Sequence, residues 1–115
     1  MKEEQMETNR NDQYESLIGK PFIVRANVAG VHAGILVAFN AKDCTAILKN
    51  AYRLWRVYTR DSSGSISCVA ANGLKPDSQH SIGARLESVL IHNPQGFEVA
   101  EMTEAAYKSV CEWKS

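Results

Sequence analysis

Residues 50–60 read N-A-Y-R-L-W-R-V-Y-T-R, with three arginines, two tyrosines and a tryptophan. Arginine bonds phosphate through a planar fork of donors and stacks on flat rings. Tyrosine and tryptophan offer platforms on which a nucleobase stacks. Together these are the residue types of a site for a nucleotide-like anion. On a strand, Tyr52, Leu54, Arg56 and Tyr58 leave one face, and Arg53, Trp55 and Val57 the other. Each face then mixes arginine with apolar groups, unlike the clean alternation of a half-buried strand. Mixed faces suit a strand that meets a ligand or another subunit. The plainer alternative is a core strand, with Leu54 and Trp55 inside and the arginines snorkelling to water.

Upstream, G-V-H-A-G at 30–34 sets His32 between Gly30 and Gly34. Such glycines allow a hairpin turn with bulges, or a close approach of backbone amides to phosphate. His32 has no partners at metal-ligand spacing, so its ring is expected to hydrogen-bond a ligand or the backbone. Signatures of catalysis are missing. The sequence has no G-x-S-x-G, H-E-x-x-H, P-loop or G-x-G-x-x-G, and no paired carboxylates at a recognisable spacing. The expectation is a binding protein with no cofactor and no metal, not an enzyme. Cys44, Cys68 and Cys111 are odd in number and lack a C-x-x-C, which points to a reducing compartment and away from a disulfide framework. Cys44 and Cys68 lie among apolar residues and read as small core side chains.

These groups need elements to position them. P-F-I-V-R-A-N-V-A from Pro21 alternates as a strand, with Phe22, Val24, Ala26 and Val28 on one face. I-L-V-A-F-N predicts a second strand, C-T-A-I-L-K-N a third after the turn at 41–43, and residues 51–58 a fourth. Ser65 and Gly73 bracket a short helix as N-cap and C-terminal stop. R-L-E-S-V-L-I-H and F-E-V-A-E read as a fifth and sixth strand joined in a hairpin by N-P-Q-G. Thr103 caps a last helix carrying Ala106, Tyr107, Val110, Cys111 and Trp113 on one face. The expected fold is α+β: a small antiparallel sheet or barrel of about six strands with flanking helices, one of them C-terminal. Residues 1–18 form an acidic, partly helical N-terminal segment, whose helix at 12–18 would dock Tyr14, Leu17 and Ile18 and end at Gly19. Residues 19–115 form a single ligand-binding domain.

The 115 residues carry 13 basic and 13 acidic side chains, and the zero total conceals a gradient. Residues 1–19 hold two basic and five acidic groups, net −3; residues 20–60 hold seven and one, net +6; residues 61–115 hold four and seven, net −3. A basic middle third steers anions whatever the overall charge. The polar, acidic N-terminus is unlike a signal peptide, and no apolar run reaches the about 18 residues of a membrane span.

V-R-A-N-V-A-G-V-H-A-G at 24–34, N-A-Y-R-L-W at 50–55 and S-G-S-I-S-C-V-A-A-N-G-L at 63–74 follow one another in an order and spacing that resembles a family of phage proteins. These are the Thoeris anti-defence proteins of the first type. Arg25, Gly30, Gly34, Asn50, Arg53 and Trp55 fall on the shared positions, and Tyr52 on a variable one. The stretch after the tryptophan departs from the family's W-x-W-x-G-A-A-S-L-S, reading W-R-V-Y-T-R-D-S-S-G-S-I-S here. The resemblance implies a sponge: a homo-oligomer, dimer or trimer of dimers, that binds a cyclic ADP-ribose isomer made by bacterial TIR enzymes. It would hold the signal uncleaved in the host bacterial cytoplasm during infection, away from any membrane. A cyclic oligonucleotide is a further ligand the resemblance implies.

Such a ligand presents a pyrophosphate, ribose hydroxyls and an adenine. Arg25, Arg53 and Arg56 are candidates for the phosphates, with Gly30 and His32 beside them. Trp55, Tyr52 or Phe39 would stack the base, and Asn27, Asn50 or Asn72 would read its edge. The alternatives are a small β-barrel that binds nucleic acid, for which the aromatics and basic segment speak, and a phage structural or interaction protein that uses residues 53–58 as an interface strand.

Overall fold

The computed structural model describes residues 15–113 apart from 28, 62 and 77. Six strands, β1 (Pro21–Ala26), β2 (Gly30–Asn40), β3 (Thr45–Arg56), β4 (Ser81–Ile82), β5 (Leu86–His92) and β6 (Glu98–Glu101), form one antiparallel sheet. Two helices, α1 (Ile66–Asn72) and α2 (Glu104–Trp113), complete an α+β fold. The sheet runs β6-β1-β2-β3, and both β4 and β5 pair with the far edge of β3. It stays open rather than closing into a barrel.

The two central links are hairpins, as tight connections between alternating strands require. Asn40 tightens the β2–β3 turn by accepting the Asp43 amide (3.0 Å) through its side chain. The expected hairpin at N-P-Q-G does not form. The Gly96 amide closes a turn on the Asn93 carbonyl, but β5 pairs with β3 and β6 with β1. The chain therefore crosses from one edge of the sheet to the other at this point. Residues 93–96 do form a turn, but a turn does not choose the strand's partner. Of the expected N-terminal helix, positions 12–14 lie outside the described residues. Residues 16–19 form a turn in which Leu17 packs inward and Ile18 stays exposed.

The two faces of the sheet feed two cores. One gathers Ile23, Ala33, Tyr52 and Leu54 under Ile66, Val69, Ala70, Ala106 and Val110 of the helices. The other gathers Phe22, Val24, Ala26, Leu36, Ala46, Leu48, Ala51 and Ile91, to which neither α1 nor α2 contributes. The helices stop and start as the caps dictate. Ser65 accepts the Cys68 amide, and Thr103 accepts the Ala106 amide at 3.0 Å.

The runs expected as a third and fourth strand are one strand, β3. Its register against β2 slips between Ala33↔Tyr52 and Ile35↔Lys49, so that one extra residue is accommodated opposite Gly34. Asn50 sits there with φ 49°, the left-handed conformation of a bulge. Gly34 makes room, since a Cβ on it would stand 3.0 Å from both Ala51 Cβ and Leu48 Cβ. Because side chains alternate along a strand, one inserted residue exchanges its faces. Ala46 and Leu48 point into the core away from α1 and α2, whereas Tyr52 and Leu54, also even-numbered, point at those helices.

Candidate functional site

The bulge decides where the arginine-rich stretch presents its chemistry. From Tyr52 onward burial alternates cleanly: Tyr52 and Leu54 are buried, Arg53 half-buried and Trp55 62% exposed. The mixed faces expected from spacing are thus absent over 52–55. Arg56, which shares Leu54's parity, is exposed at the strand end, past a second register shift opposite Ser81.

Arg53 and Trp55 emerge on the same side of the strand. The Arg53 guanidinium lies over the Trp55 ring, 3.8 Å from its centroid. Gly30 forms a floor beneath it: a Cβ there would come within 2.7 Å of Nη2. His32 is Arg53's cross-strand neighbour, and Gly83 packs near Trp55 Nε1. The Gly83 amide also donates to the Arg53 carbonyl (2.8 Å), which pins the strand at this point. Arg53 has no carboxylate partner among the described residues, so its donors can turn to an anion.

His32 is 5% exposed, and its Nδ1 has no hydrogen-bond partner. Burial, with the Arg53 charge second, lowers its pKa and keeps the ring neutral. A histidine depressed in the fold but ordinary in the unfolded chain contributes stability that is full above the unfolded pKa of 6.5 and is lost as pH falls below it. Melting curves at pH 7.5, 6.0 and 5.0 are expected to show the native chain losing more stability than His32→Gln. Parallel losses would show that His32 carries no such linkage.

The other candidate positions scatter. Arg25 leaves the opposite face of β1 from Val24, which is His32's neighbour, and pairs with Glu98 at 3.0 Å. Asn27 is exposed in the turn after β1. Tyr52 is 9% exposed in the helix-side core. Asn72 ends α1, where its carbonyl accepts from Arg60 Nε. Phe39 packs edge-on against Phe97, with ring centroids 5.9 Å apart. Asn50 holds the bulge, and its Oδ1 accepts from Arg85 Nη1 at 2.6 Å. Gly30, His32, Arg53 and Trp55 are the positions that meet. Among the cysteines, Cys68 is buried, but Cys44 is half-exposed in the β2–β3 turn with φ 55°. An apolar neighbourhood in sequence did not make it core.

Two arrangements were invisible to motif reasoning. His80 locks the 74–82 crossing: Nδ1 accepts the Tyr58 amide (3.0 Å), which leaves Nε2–H to donate to the Lys75 carbonyl (2.9 Å). Its ring meets Trp113 edge-on. Tyr107 donates its hydroxyl to the Asn50 carbonyl at 2.5 Å. Burial, then the Cys111 thiol, pushes the Tyr107 phenol up, so it stays a protonated donor. Neither histidine nor tyrosine announces such a partner when it lies 22 or 57 positions away.

A surface hollow of about 280 Å³ lies apart from this patch, lined by Val57, Tyr58, Thr59, Ser63, Gly64 and Lys75. Its polar groups are largely committed to the loop itself. Thr59 and Ser63 hydroxyls donate to Asp61, and the Gly64 amide donates to Thr59. Ser63, through its hydroxyl and its amide, and then the Thr59 hydroxyl hold the Asp61 carboxyl well below the usual range. Hollow shape alone does not outweigh the stacked guanidinium and exposed indole of the Arg53–Trp55 patch. Among the described residues no group of three or more His, Cys, Asp or Glu side chains could hold a metal. No helix among them is long and apolar enough to cross a membrane.

Residues 19–110 match the family described as Domain of unknown function (DUF6948), and the chain belongs to that family. No curated protein matches the chain, and no solved structure matches it.

Proposed function

We propose that the protein captures a cyclic nucleotide signal, a cyclic ADP-ribose isomer, on the Arg53–Trp55 patch and holds it without cleaving it. The observation that carries this reading is the Arg53 guanidinium, without a carboxylate partner among the described residues, stacked on the exposed Trp55 ring above Gly30. Arg53 would take the pyrophosphate, and the outer face of Trp55 the adenine. His32, cross-strand from Arg53 and kept neutral by burial, adds no charge beside it. The resemblance of 24–34, 50–55 and 63–74 to the anti-defence sponges points to the same class of ligand, and with it to suppression of a Thoeris-type defence.

A sponge must hold a scarce signal, so nanomolar affinity is expected, about −12 kcal/mol. An open patch with Trp55 62% exposed covers one side of a ligand only. Tight sites bury most of the ligand, so a second copy of the chain is proposed to close the other side.

The test is capture and release. Protein is incubated with TIR-derived cyclic ADP-ribose, freed of unbound ligand and denatured, and the supernatant is assayed. Return of the intact signal supports sequestration; a cleaved product shows an enzyme instead. No binding at micromolar protein rejects this ligand. Native mass spectrometry of the loaded protein gives the number of chains and ligands together.

A further inference from the structure

We infer that Asn50 is a positioning residue: with Arg85 and Tyr107 it forms a clamp that holds the β3 bulge and so aims Arg53 and Trp55. This deepens the proposed function and rests on it for its binding arm only. Asn50 was expected to read a base edge. Its side chain instead accepts Arg85 Nη1 (2.6 Å) and its carbonyl accepts the Tyr107 hydroxyl (2.5 Å). Both acceptors of a single left-handed residue are therefore held from outside the strand, by the start of the β5 region and by α2.

The geometry gives the clamp a consequence. Without an extra residue at Asn50, regular alternation would put Arg53 and Trp55 on the side of Ile47 and Lys49 and turn Tyr52 and Leu54 toward Leu48. With it, Arg53 crosses to His32 and Gly30. Asparagine tolerates φ near +50° better than most residues, because its short polar side chain bonds locally. A β-branched residue does not. Gly34 gives the bulge space, and the Gly83 amide on the Arg53 carbonyl fixes the strand just beyond it.

Asn50→Gly keeps the left-handed backbone and drops the Arg85 bond; Asn50→Val opposes that backbone. Both are made in a Trp113→Phe chain, so that Trp55 is the sole tryptophan. Two quantities are read per folded molecule: acrylamide quenching of Trp55, and affinity for cyclic ADP-ribose. Asn50→Gly loses the Arg85 arm of the clamp but keeps the backbone and the Tyr107 arm, so it is expected to weaken affinity by about three- to fivefold with a small change in quenching, and Asn50→Val, which opposes the left-handed backbone as well, to lose about tenfold or more with a larger change. Equal losses for both, or parent-like values for both, overturn the inference. If Asn50→Val does not fold, Tyr107→Phe replaces it: unchanged quenching and affinity then overturn the inference, and a shift in quenching supports it. If the parent itself binds no cyclic ADP-ribose, the proposed function fails while the quenching contrast still decides the clamp.

Discussion

Arg53→Ala is expected to abolish most capture of cyclic ADP-ribose while leaving the fold intact. The side chain is half-buried, bears no carboxylate partner among the described residues and stacks on Trp55, so its removal deletes charge from the patch without leaving a buried acid unpaired. Losing one charge-assisted contact to a phosphate costs about 2–4 kcal/mol, roughly 30- to 700-fold in affinity. Trp55→Ala removes a stacking platform worth about 1–3 kcal/mol per base. The double variant should lose less than the sum, because Arg53 rests on the same ring that Trp55→Ala removes. Arg25→Ala and Arg56→Ala provide the discrimination. Arg25 leaves the other face and is held by Glu98, and Arg56 is exposed past the register shift. Both should stay within about threefold, the small change of an exposed charge away from the ligand. Isothermal titration at fixed salt reads all five. A loss in Arg25→Ala as large as that in Arg53→Ala would show that generic basic charge, not this patch, binds the anion.

The contrast between Arg53 and Arg25 shows where spacing informs and where it stops. Helix caps are local chemistry, so Ser65, Gly73 and Thr103 were legible from the residues beside them. Strand positions were legible too, because alternation follows from the pleat. The faces of β3 were not. Ala46, Leu48, Tyr52 and Leu54 share one parity, and an unbroken alternation would place them on one core. The bulge sends the first pair to one core and the second to the other. Nothing but an asparagine marks the switch, and asparagine is equally at home in a turn. Its stabilisers, Arg85 and Tyr107, come from 35 and 57 positions away. The failed hairpin at 93–96 has the same cause. Local residues fix a turn, but the partner of a strand is settled by which edge of the sheet lies open.

Gly73→Ala is expected to be among the most destabilising single-methyl additions in the molecule. Gly73 has φ 80° and ψ −167°, a conformation essentially reserved for glycine. Space is also lacking. A Cβ would stand 2.7 Å from Ser109 Oγ and 3.2 Å from Ala106 Cα on α2. Ser109 has no free direction in which to yield, since its hydroxyl accepts the Leu74 amide (3.1 Å) and donates to the Ala106 carbonyl (2.6 Å). Backbone strain of about 1–3 kcal/mol and overpacking of about 1–3 kcal/mol therefore act together. Against a total of about 5–15 kcal/mol for a domain, thermal unfolding should fall by roughly 10–25 °C. Gly64→Ala separates the two causes: φ is 71°, but nothing among the described residues lies within 4 Å of its Cβ, so only the conformational part is lost. Ser109→Ala in the Gly73→Ala background removes the closest clash and should restore part of the stability, whereas Ser109→Ala alone should destabilise. A Gly73→Ala melting point within about 3 °C of the native chain, less than 1 kcal/mol on this scale, would sink the steric account. α2 also carries Tyr107, whose hydroxyl donates to the Asn50 carbonyl, so a displaced α2 is coupled to the bulge through that bond. Capture is then expected to weaken in Gly73→Ala even at temperatures where the chain remains folded, through the same bulge that aims Arg53.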